Sequence, residues 1–312
     1  KKTFTLTDNY KVSMKLNQLK AIIAIAETGS IRGAARRLGL SQPALSKNLL
    51  SMEQELSVQL VNRTTRGVNL TPFGQAIVNR GRGIDREFER LKDEIEQMRG
   101  LHEGAVSIAT SPSPATLLLP PVLKRFHLEF PTIQVRIMES VYPDTLRLLR
   151  EGLIDIAVGA QPPSRKNNTS EFNVETLYEN KLVVACRKDH PRANASSLKE
   201  LLDCEWLLHG PADGPGTLHA PVFRANGLDL PKPMILSESF ISTIGLLENS
   251  DALCLLPQRL IQHLSQTGRL MALKLKEPMP DWGVSLTTRL STPLTPVAQK
   301  LVSIFRRTPP MT

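Results

Sequence analysis

The sequence has none of the short motifs that mark several common enzyme classes. It contains no GxSxG, no GxxxxGK[ST] and no HExxH, and no GxGxxG follows a predicted strand. These absences exclude the hydrolases, nucleotide-binding enzymes and metallopeptidases that depend on those motifs. The six histidines are scattered along the chain and give little support to a metal site. We therefore expect neither an enzyme nor a resident cofactor or metal.

Cysteines and long apolar runs are also scarce. Cys186, Cys204 and Cys254 have no CxxC spacing, and two of them lie in apolar predicted strands. This usage predicts inert buried thiols in the reducing cytoplasm, with redox sensing as the alternative. No segment approaches the roughly 18 apolar residues that a membrane-spanning helix needs. Residues 1–13 lack the apolar core of a secretory signal, and we interpret them as an N-terminal extension before a native start at Met14.

Basic residues are concentrated near the N-terminus. Residues 14–82 contain ten lysines or arginines and three acidic residues, whereas residues 101–312 contain 22 basic and 20 acidic residues. Most of the net charge of +9 therefore falls in the first quarter of the chain, where a polyanionic partner is expected. A membrane surface is the competing partner, but these cations follow short helices and a turn rather than one long amphipathic helix.

Residues 30–49 predict two short helices joined by a glycine turn. Apolar residues recur at spacings of three and four on the first helix, and Gly39 ends it. Ser41 is a good N-cap, Pro43 falls in the first turn of the second helix, and a new apolar stripe begins at Leu45. In a helix-turn-helix of this kind, the N-terminal residues of the second helix contact base edges in the major groove. An ordinary helical hairpin with a solvated polar face is the alternative.

The second helix begins with residues that suit contacts to DNA. Gln42 can pair with adenine, Ala44 can touch a thymine methyl group, and Lys47 can reach phosphate or guanine. Residues 60–71 then predict a strand, a turn and a return strand, which would form a basic wing against the phosphates. A solvated basic loop is the alternative to the wing. The predicted DNA-binding residues are Arg32, Ser41, Gln42, Pro43, Ala44, Ser46, Lys47, Arg63 and Arg66.

Residues 16–74 carry a long run of motif that includes GSIRGAARRLGLSQPALS and LVNRTTRGVNLTPFG. This run closely resembles the N-terminal domain of LysR-type transcriptional regulators, and the downstream chain is similar to the same family in order and length. The resemblance implies a winged helix-turn-helix DNA-binding domain over residues 14–72, a linker dimerisation helix over 73–101 and an effector-binding domain over 102–312. It also implies as partners double-stranded DNA, a small-molecule effector, a second copy in a homodimer or homotetramer, and RNA polymerase.

The linker has a pattern of its own. Thr71 and Pro72 open a helix that is predicted to continue to about residue 99. Its apolar residues recur with a seven-residue period, which makes a seam too narrow for a globular core but suited to a helix pair. A surface helix packed on its own domain is the alternative. The residues of this seam are Ile77, Ile84, Phe88, Leu91, Ile95 and Met98.

From residue 104 onward strands alternate with helices, which predicts an α/β architecture with parallel sheets. About 200 residues suit two small units better than one doubly wound unit. The family resemblance implies a periplasmic-binding-protein-like pair of lobes. Lobe 1 is expected at about residues 102–175 and 280–312, and lobe 2 at about residues 176–279.

Ligands of such sheets bind beyond the carboxyl ends of the strands. Ser111 and Ser113 follow a predicted strand at a helix N-terminus, where they favour a small organic anion or serve only as turn and cap residues. Tyr142 and Phe240 could stack on an aromatic effector or belong to the core. Because family members bind their inducers between the lobes, the resemblance implies as effector-binding residues Ser111, Pro112, Ser113, Tyr142, Pro143, His209, Gly210, Phe240 and Ile241.

Three classes of function remain. A ligand-responsive transcription factor uses both halves of the chain and is the main interpretation. A solute-binding protein of a transport system would explain the two lobes, but it should carry a secretory signal and no basic hairpin. An enzyme on a two-lobed fold would need catalytic residues that are not visible. In the predicted mechanism, effector between the lobes shifts the subunit geometry and thereby the bend of the DNA and its contact with polymerase.

Overall fold

A computed structural model gives the fold of the chain. It describes residues 14–64, 67–100, 103–160, 170–209, 219–231, 235–279 and 281–311. The predicted N-terminal extension, residues 1–13, lies outside these ranges. The chain divides into two compact units, of which the first comprises Lys1–Lys92 with Glu151–Leu153 and the second comprises Asp93–Arg150 with Ile154–Thr312.

Short helices, a hairpin and most of a long helix make up the first unit. Both predicted elements, the helix pair and the two strands that follow it, are confirmed. The strands are antiparallel, with Val61 opposite Leu70. The elements are α1 (Leu16–Thr28), α2 (Ile31–Arg37), α3 (Gln42–Leu56), β1 (Val61–Thr64), β2 (Gly67–Leu70) and α4 (Pro72–Met98).

Local sequence signals explain where these helices begin and end. The hydroxyls of Ser30 and Ser41 cap α2 and α3 by accepting a hydrogen bond from the backbone N–H three residues on, at 2.8 and 3.3 Å. Gly39 lies between the two helices with a φ of 65°, a conformation that costs glycine little. The buried apolar faces then form one core, whose largest fully buried side chains are Ile22, Ile25, Leu45, Leu49, Met52 and Leu60.

Helix α4 begins as part of this core and continues with an unpartnered apolar face. A Cβ atom at Gly74 would collide with the backbone carbonyl oxygen of Leu60, so close packing there requires glycine, and a Cβ atom at Gly81 would press on the side chain of Leu19. The first turns of α4 therefore pack on their own unit, as the alternative interpretation of the linker proposed. From Ile84 onward the seam residues are exposed within one chain, namely Ile84, Phe88, Leu91, Ile95 and Met98.

The second unit is an α/β structure in which one strand joins two lobes. Its elements are β3 (Ala105–Thr110), α5 (Pro112–Leu117), α6 (Leu119–Glu129), β4 (Gln134–Glu139), α7 (Asp144–Arg150), β5 (Ile156–Ala160), β6 (Phe172–Arg187), β7 (Leu207–His209), α8 (His219–Ala225), β8 (Ile235–Ser237), α9 (Phe240–Asn249), β9 (Cys254–Pro257), α10 (Gln258–Leu264), β10 (Leu270–Ala272), β11 (Asp281–Arg289) and α11 (Pro296–Arg307).

The long strand β6 crosses from one lobe to the other. Its first part, residues 172–181, pairs with β11, and its second part pairs with β9 and β10. All three pairings are antiparallel, as is the pairing of β11 with β5. The expectation of parallel sheets is therefore wrong for these pairs and right for β3 with β4, β3 with β5, and β7 with β8. For β6 with β11 the reason is that β11 returns to lobe 1 alongside the strand that left it.

Each lobe has its own hydrophobic core. In lobe 1, Phe126 of α6 and Phe305 of α11 pack against the strands β3, β5 and β11. In lobe 2, Trp206 and Phe223 meet edge to face, with ring centroids 5.1 Å apart, and pack against β6 and β9. The two cores leave the carboxyl ends of strands from both lobes facing the crossing region, where ligands of such folds bind.

Candidate functional site

The start of helix α3 has an exposed, mostly polar face and a buried apolar face. Residues 41–44 and Lys47 are exposed, Ser46 is half-buried, and Leu45 and Leu49 face the core. Arg32 is exposed on α2. A rigid helix with its first turn open to solvent can enter the major groove and bring its side chains to base edges.

Hydrogen bonds attach the hairpin of β1 and β2 to α3 and to the turn between α1 and α2. Glu53 of α3 accepts hydrogen bonds at its Oε1 from the backbone N–H groups of Leu60 and Val61, at 2.7 and 3.3 Å. The N–H of Val68 donates to the carbonyl oxygen of Gly29 at 3.0 Å. Sequence reasoning missed Glu53, although a carboxylate in a strongly basic segment was a usable signal.

The side chains of the two predicted wing arginines are not described by the structure. Arg63 lies in β1, but only its backbone is described, and Arg66 lies outside the described residues. The strands β1 and β2 form a hairpin that follows directly after the second helix of the pair, which is the arrangement of a wing. Their contact with phosphates stays a prediction.

A cavity of about 90 Å³ lies in the second unit, where strands of both lobes end. Ser111 follows β3, Ala160 ends β5, His209 ends β7 and Pro257 ends β9. The rule that ligands bind beyond the carboxyl ends of strands therefore predicts this place. The lining residues are Ser111, Pro112, Ser113, Val141, Ala160, Asn180, Leu182, His209, Phe240, Leu255, Leu256, Pro257, Leu260 and Val284.

The structure brings most of the predicted effector-binding residues together. Five line the cavity, namely Ser111, Pro112, Ser113, His209 and Phe240. Tyr142 and Pro143 are not among its lining residues, although their neighbour Val141 is. Ile241 is 84% exposed, because one residue along α9 from Phe240 turns a side chain by about 100°. Gly210 lies outside the described residues.

His209 is the one ionisable group among these lining residues. Burial lowers its pKa below the ordinary histidine value, while the backbone of Ser237 opposes this shift. Its Nδ1 lies 3.1 Å from the hydroxyl of Thr243, which itself donates to the carbonyl oxygen of Ser239 at 3.0 Å. Because its pKa is lowered, the His209 side chain that lines the cavity is uncharged at neutral pH.

Asn180 lines the cavity and was not predicted from the sequence. It lies within β6, near the point where that strand leaves lobe 1. The sequence signal for such a site lies in the loops that follow strands, and an asparagine inside a long strand gives no such signal. Its position becomes visible only when the crossing of β6 is known.

Two family models match the chain. One, described as LysR substrate binding domain, matches residues 99–309, and the other, described as bacterial regulatory helix-turn-helix protein, lysR family, matches residues 16–75. The first match alone covers more than half of the chain. The chain belongs to the LysR family of transcriptional regulators. This LysR-type regulator thus combines a winged helix-turn-helix, a long linker helix and a two-lobed α/β effector domain.

Relatives and solved structures agree with this membership. The LysR-type regulator is 31% identical, over 85% of each chain, to a probable nitrogen assimilation transcriptional activator of Synechococcus elongatus. Its fold is similar to that of CbnR, a LysR family transcriptional regulator, with a TM-score of 0.70, 22% identity and coverage of 94% of this chain and 99% of the other. It is also similar to full-length CbnR in complex with its target DNA, with a TM-score of 0.69, 22% identity and the same coverage.

No helix among the described residues is both long and apolar enough to span a membrane. Within the same ranges, no group of three or more histidine, cysteine, aspartate or glutamate side chains could hold a metal ion.

The thiols of this LysR-type regulator are expected to react slowly with alkylating reagents. Burial raises the pKa of the Cys186 thiol to about 11 and that of Cys254 to about 12, and it also raises the pKa of Cys204. Because the thiolate is the reactive form, a raised pKa lowers the reactive fraction at neutral pH. We expect Cys186 and Cys254 to be labelled by iodoacetamide at least about 100-fold more slowly in the native protein than after denaturation.

Mass spectrometry of peptides after timed labelling measures these rates. Cys204, which is half-buried, serves as the internal control and should react first. Rapid native labelling of Cys254 would contradict the buried environment and revive the redox-sensing alternative.

Proposed function

We propose that this LysR-type regulator binds double-stranded DNA through the first turn of α3 and is switched by a small molecule in the cavity between its lobes. The proposal assigns DNA binding to residues 14–72, dimerisation to 73–101 and effector binding to 102–312. The observation that carries it is the exposed first turn of α3, held by a buried stripe within a strongly basic segment. A solute-binding protein has no use for this surface.

The DNA complex of CbnR supports the proposed mode of binding. That protein shares the fold over nearly its whole length and was solved with its target DNA. Base contacts from Gln42 and Ala44 would give sequence preference, whereas Arg32, Lys47 and the wing arginines would add affinity that depends on salt. A regulator of this kind acts where the chromosome lies, which in bacteria is the cytoplasm.

A second copy of the chain is the proposed partner of the apolar face of α4. Five seam residues between Ile84 and Met98 are exposed within one chain, which is unusual for such large apolar side chains on one helix. A two-fold pair of these helices would bury both stripes and present two copies of α3 to a partly palindromic site. Assembly into a tetramer and contact with RNA polymerase stay predictions.

Replacing Gln42 with alanine is expected to relax sequence preference rather than abolish binding. The change removes one base contact, which is worth about 1–3 kcal/mol at a single operator position. Competitive binding to a library of randomised operator sequences, read by sequencing, measures this loss. The control Gln54→Ala makes the same change at an exposed position later on α3 and should leave the preference unchanged.

Salt dependence tests the remaining part of the interface. Lys47→Ala should weaken binding across sequences and reduce the slope of log affinity against log salt by about 1. Binding that showed no dependence on salt would contradict the proposed DNA-binding surface.

A further inference from the structure

The chain that leaves α3 folds back over one residue of that helix, Glu53. Ser57 ends the helix with a φ of 54°, a left-handed conformation that turns the backbone away from the helix axis. The carbonyl oxygen of Glu53 then accepts a hydrogen bond from the N–H of Val58 at 3.2 Å. Its carboxylate accepts from the N–H groups of Leu60 and Val61 at 2.7 and 3.3 Å. One residue therefore fixes the path from α3 into β1.

A carboxylate at this position needs a structural reason. Residues 14–82 contain ten basic and three acidic residues, and a negative charge in a DNA-binding domain weakens its attraction to phosphates. Glu53 also lies in the last turn of α3, where the helix dipole disfavours an anion. The other two acids contact helices, since Glu27 pairs with an arginine of α2 and Glu55 accepts from a glutamine of α1. Glu53 instead receives the backbone of the hairpin.

Thr71 ties the returning end of the hairpin to the same segment. Its hydroxyl donates to the carbonyl oxygen of Gln59 at 2.7 Å and accepts from the N–H of Gly74 at 3.1 Å. Its own N–H donates to the carbonyl oxygen of Leu60 at 2.9 Å. Thr71 is 8% exposed, and hydrogen bonds away from water are stronger. Thr71 thus closes the base of the hairpin and joins it to the first turn of α4.

These contacts hold the hairpin in place without any help from DNA. Leu60 and Val61 are buried, so their N–H groups depend on Glu53 as an acceptor, and losing it would leave two buried donors unpaired. Arg63 follows Val61 by two residues in β1, so the direction of β1 fixes the backbone from which the arginine side chain extends. An element that is ordered before binding loses less conformational entropy on contact, which favours affinity.

We propose that Glu53 and Thr71 are positioning residues for DNA binding, because they hold the hairpin in a fixed place beside α3 before DNA is bound. This assignment rests on the proposed DNA binding by the first unit. Both side chains act through the backbone of residues 59–61 rather than through DNA. The hairpin then adds affinity through phosphates and leaves the sequence preference to the first turn of α3.

Replacing Glu53 with alanine tests the assignment. We expect operator affinity at low salt to fall by about tenfold or more, and the slope of log affinity against log salt to fall by about 1, because Arg63 is no longer held against a phosphate. The sequence preference measured with a library of randomised operators depends on α3 and should stay unchanged. Fluorescence anisotropy over a series of salt concentrations measures both the affinity and the slope.

Two further variants separate the position of the hairpin from the charge of the carboxylate. Glu53→Gln keeps a side-chain oxygen that can accept from the two N–H groups, so it should restore the affinity and the salt slope. Glu55→Ala removes a negative charge two residues along the same helix, from a carboxylate that bonds to a glutamine of α1. It should leave the slope unchanged. If charge alone mattered, Glu53→Ala would bind DNA more tightly rather than more weakly.

Hydrogen exchange of the free proteins reads the hairpin directly. Peptides from residues 58–70 should be protected in the wild type and exchange faster in Glu53→Ala, while peptides from α1 and α2 keep their protection. If thermal denaturation shows that Glu53→Ala does not fold, Thr71→Val replaces it. Valine has nearly the shape of threonine but lacks the hydroxyl that bonds to Gln59, so the same changes in exchange, affinity and slope are expected.

Each result bears on the assignment. Unchanged affinity and salt slope in Glu53→Ala and Thr71→Val overturn it, and so does a loss of sequence preference in step with affinity, because that would show general damage to α3. A wild-type hairpin that is protected from exchange only when operator DNA is bound also overturns it. A wild type whose binding shows no dependence on salt contradicts the proposed DNA-binding surface itself, and the assignment of Glu53 and Thr71 falls with it.

Discussion

Replacing Leu91 with aspartate is expected to separate the regulator into monomers and to weaken operator binding by about 100-fold or more. Leu91 lies in the middle of the exposed apolar face of α4 and is 52% exposed within one chain. In a two-fold helix pair the two Leu91 side chains would meet near each other, and two buried carboxylates would repel. Loss of the second DNA-binding unit removes the gain in affinity that comes from binding two half-sites together.

Sedimentation velocity measures the assembly state, and fluorescence anisotropy with labelled operator DNA measures the affinity. The control is Leu290→Asp, which makes the same change at a leucine of similar exposure, 58%, just after β11. It should leave both measurements unchanged. A Leu91→Asp protein that stays dimeric would place the subunit interface elsewhere and return α4 to the surface-helix interpretation.

Truncating Leu45 to alanine is expected to destabilise the first unit by about 2–5 kcal/mol, because it leaves a cavity in a small core. Leu45 is fully buried on α3 and packs in the same cluster as Ile22, Ile25 and Leu49. A small domain has a free energy of unfolding of only about 5–15 kcal/mol, so this loss is a large share. Operator binding should fall accordingly, because α3 would be partly unfolded.

Hydrogen exchange followed by mass spectrometry measures the loss in peptides from α2 and α3. Tryptophan fluorescence provides the internal reference, since both tryptophans, at positions 206 and 282, belong to the second unit. Leu50→Ala is the matched control, because Leu50 lies on the same helix but is exposed. Equal exchange rates in the two variants would show that α3 does not depend on the packing described for Leu45.

Local patterns predicted α2, α3, the hairpin and α4 of the first unit, whereas α1 was not predicted. The caps at Ser30 and Ser41, the glycine turn at Gly39 and the three-and-four spacing of apolar residues act over a few residues, so they can be read from the chain. The same holds for the start of α4 at Pro72. Long-range pairing has no such signal. The length of β6 and its antiparallel neighbours depend on contacts 69 to 117 residues apart, and the expectation of parallel sheets was wrong for them.

Only some of the residues at the candidate cavity could be predicted from the sequence, and the reason is physical. Loops after strands meet at one edge of a sheet, so Ser111 and Ser113 could be proposed from their positions, whereas His209 was proposed from the family resemblance. Asn180 was missed because it reaches the cavity from inside a strand. The neighbours Phe240 and Ile241 show the other limit, since only a structure tells which of two adjacent helical residues faces inward.

The glycines at the start of α4 fix the DNA-binding surface to the helix that would pair the subunits. Gly74 lets α4 lie against the backbone of Leu60, just before β1, Gly81 lies against Leu19 of α1, and the ammonium of Lys20 lies 2.7 Å from Oε1 of Glu89. Three successive contacts along α4 leave little freedom of movement between this helix and the helix-turn-helix. In the proposed dimer, the geometry of the paired α4 helices therefore sets the distance between the two half-sites that the protein can bind. A change in this distance requires the two α4 helices to bend or to slide along each other, while each helix-turn-helix stays bound to its half-site.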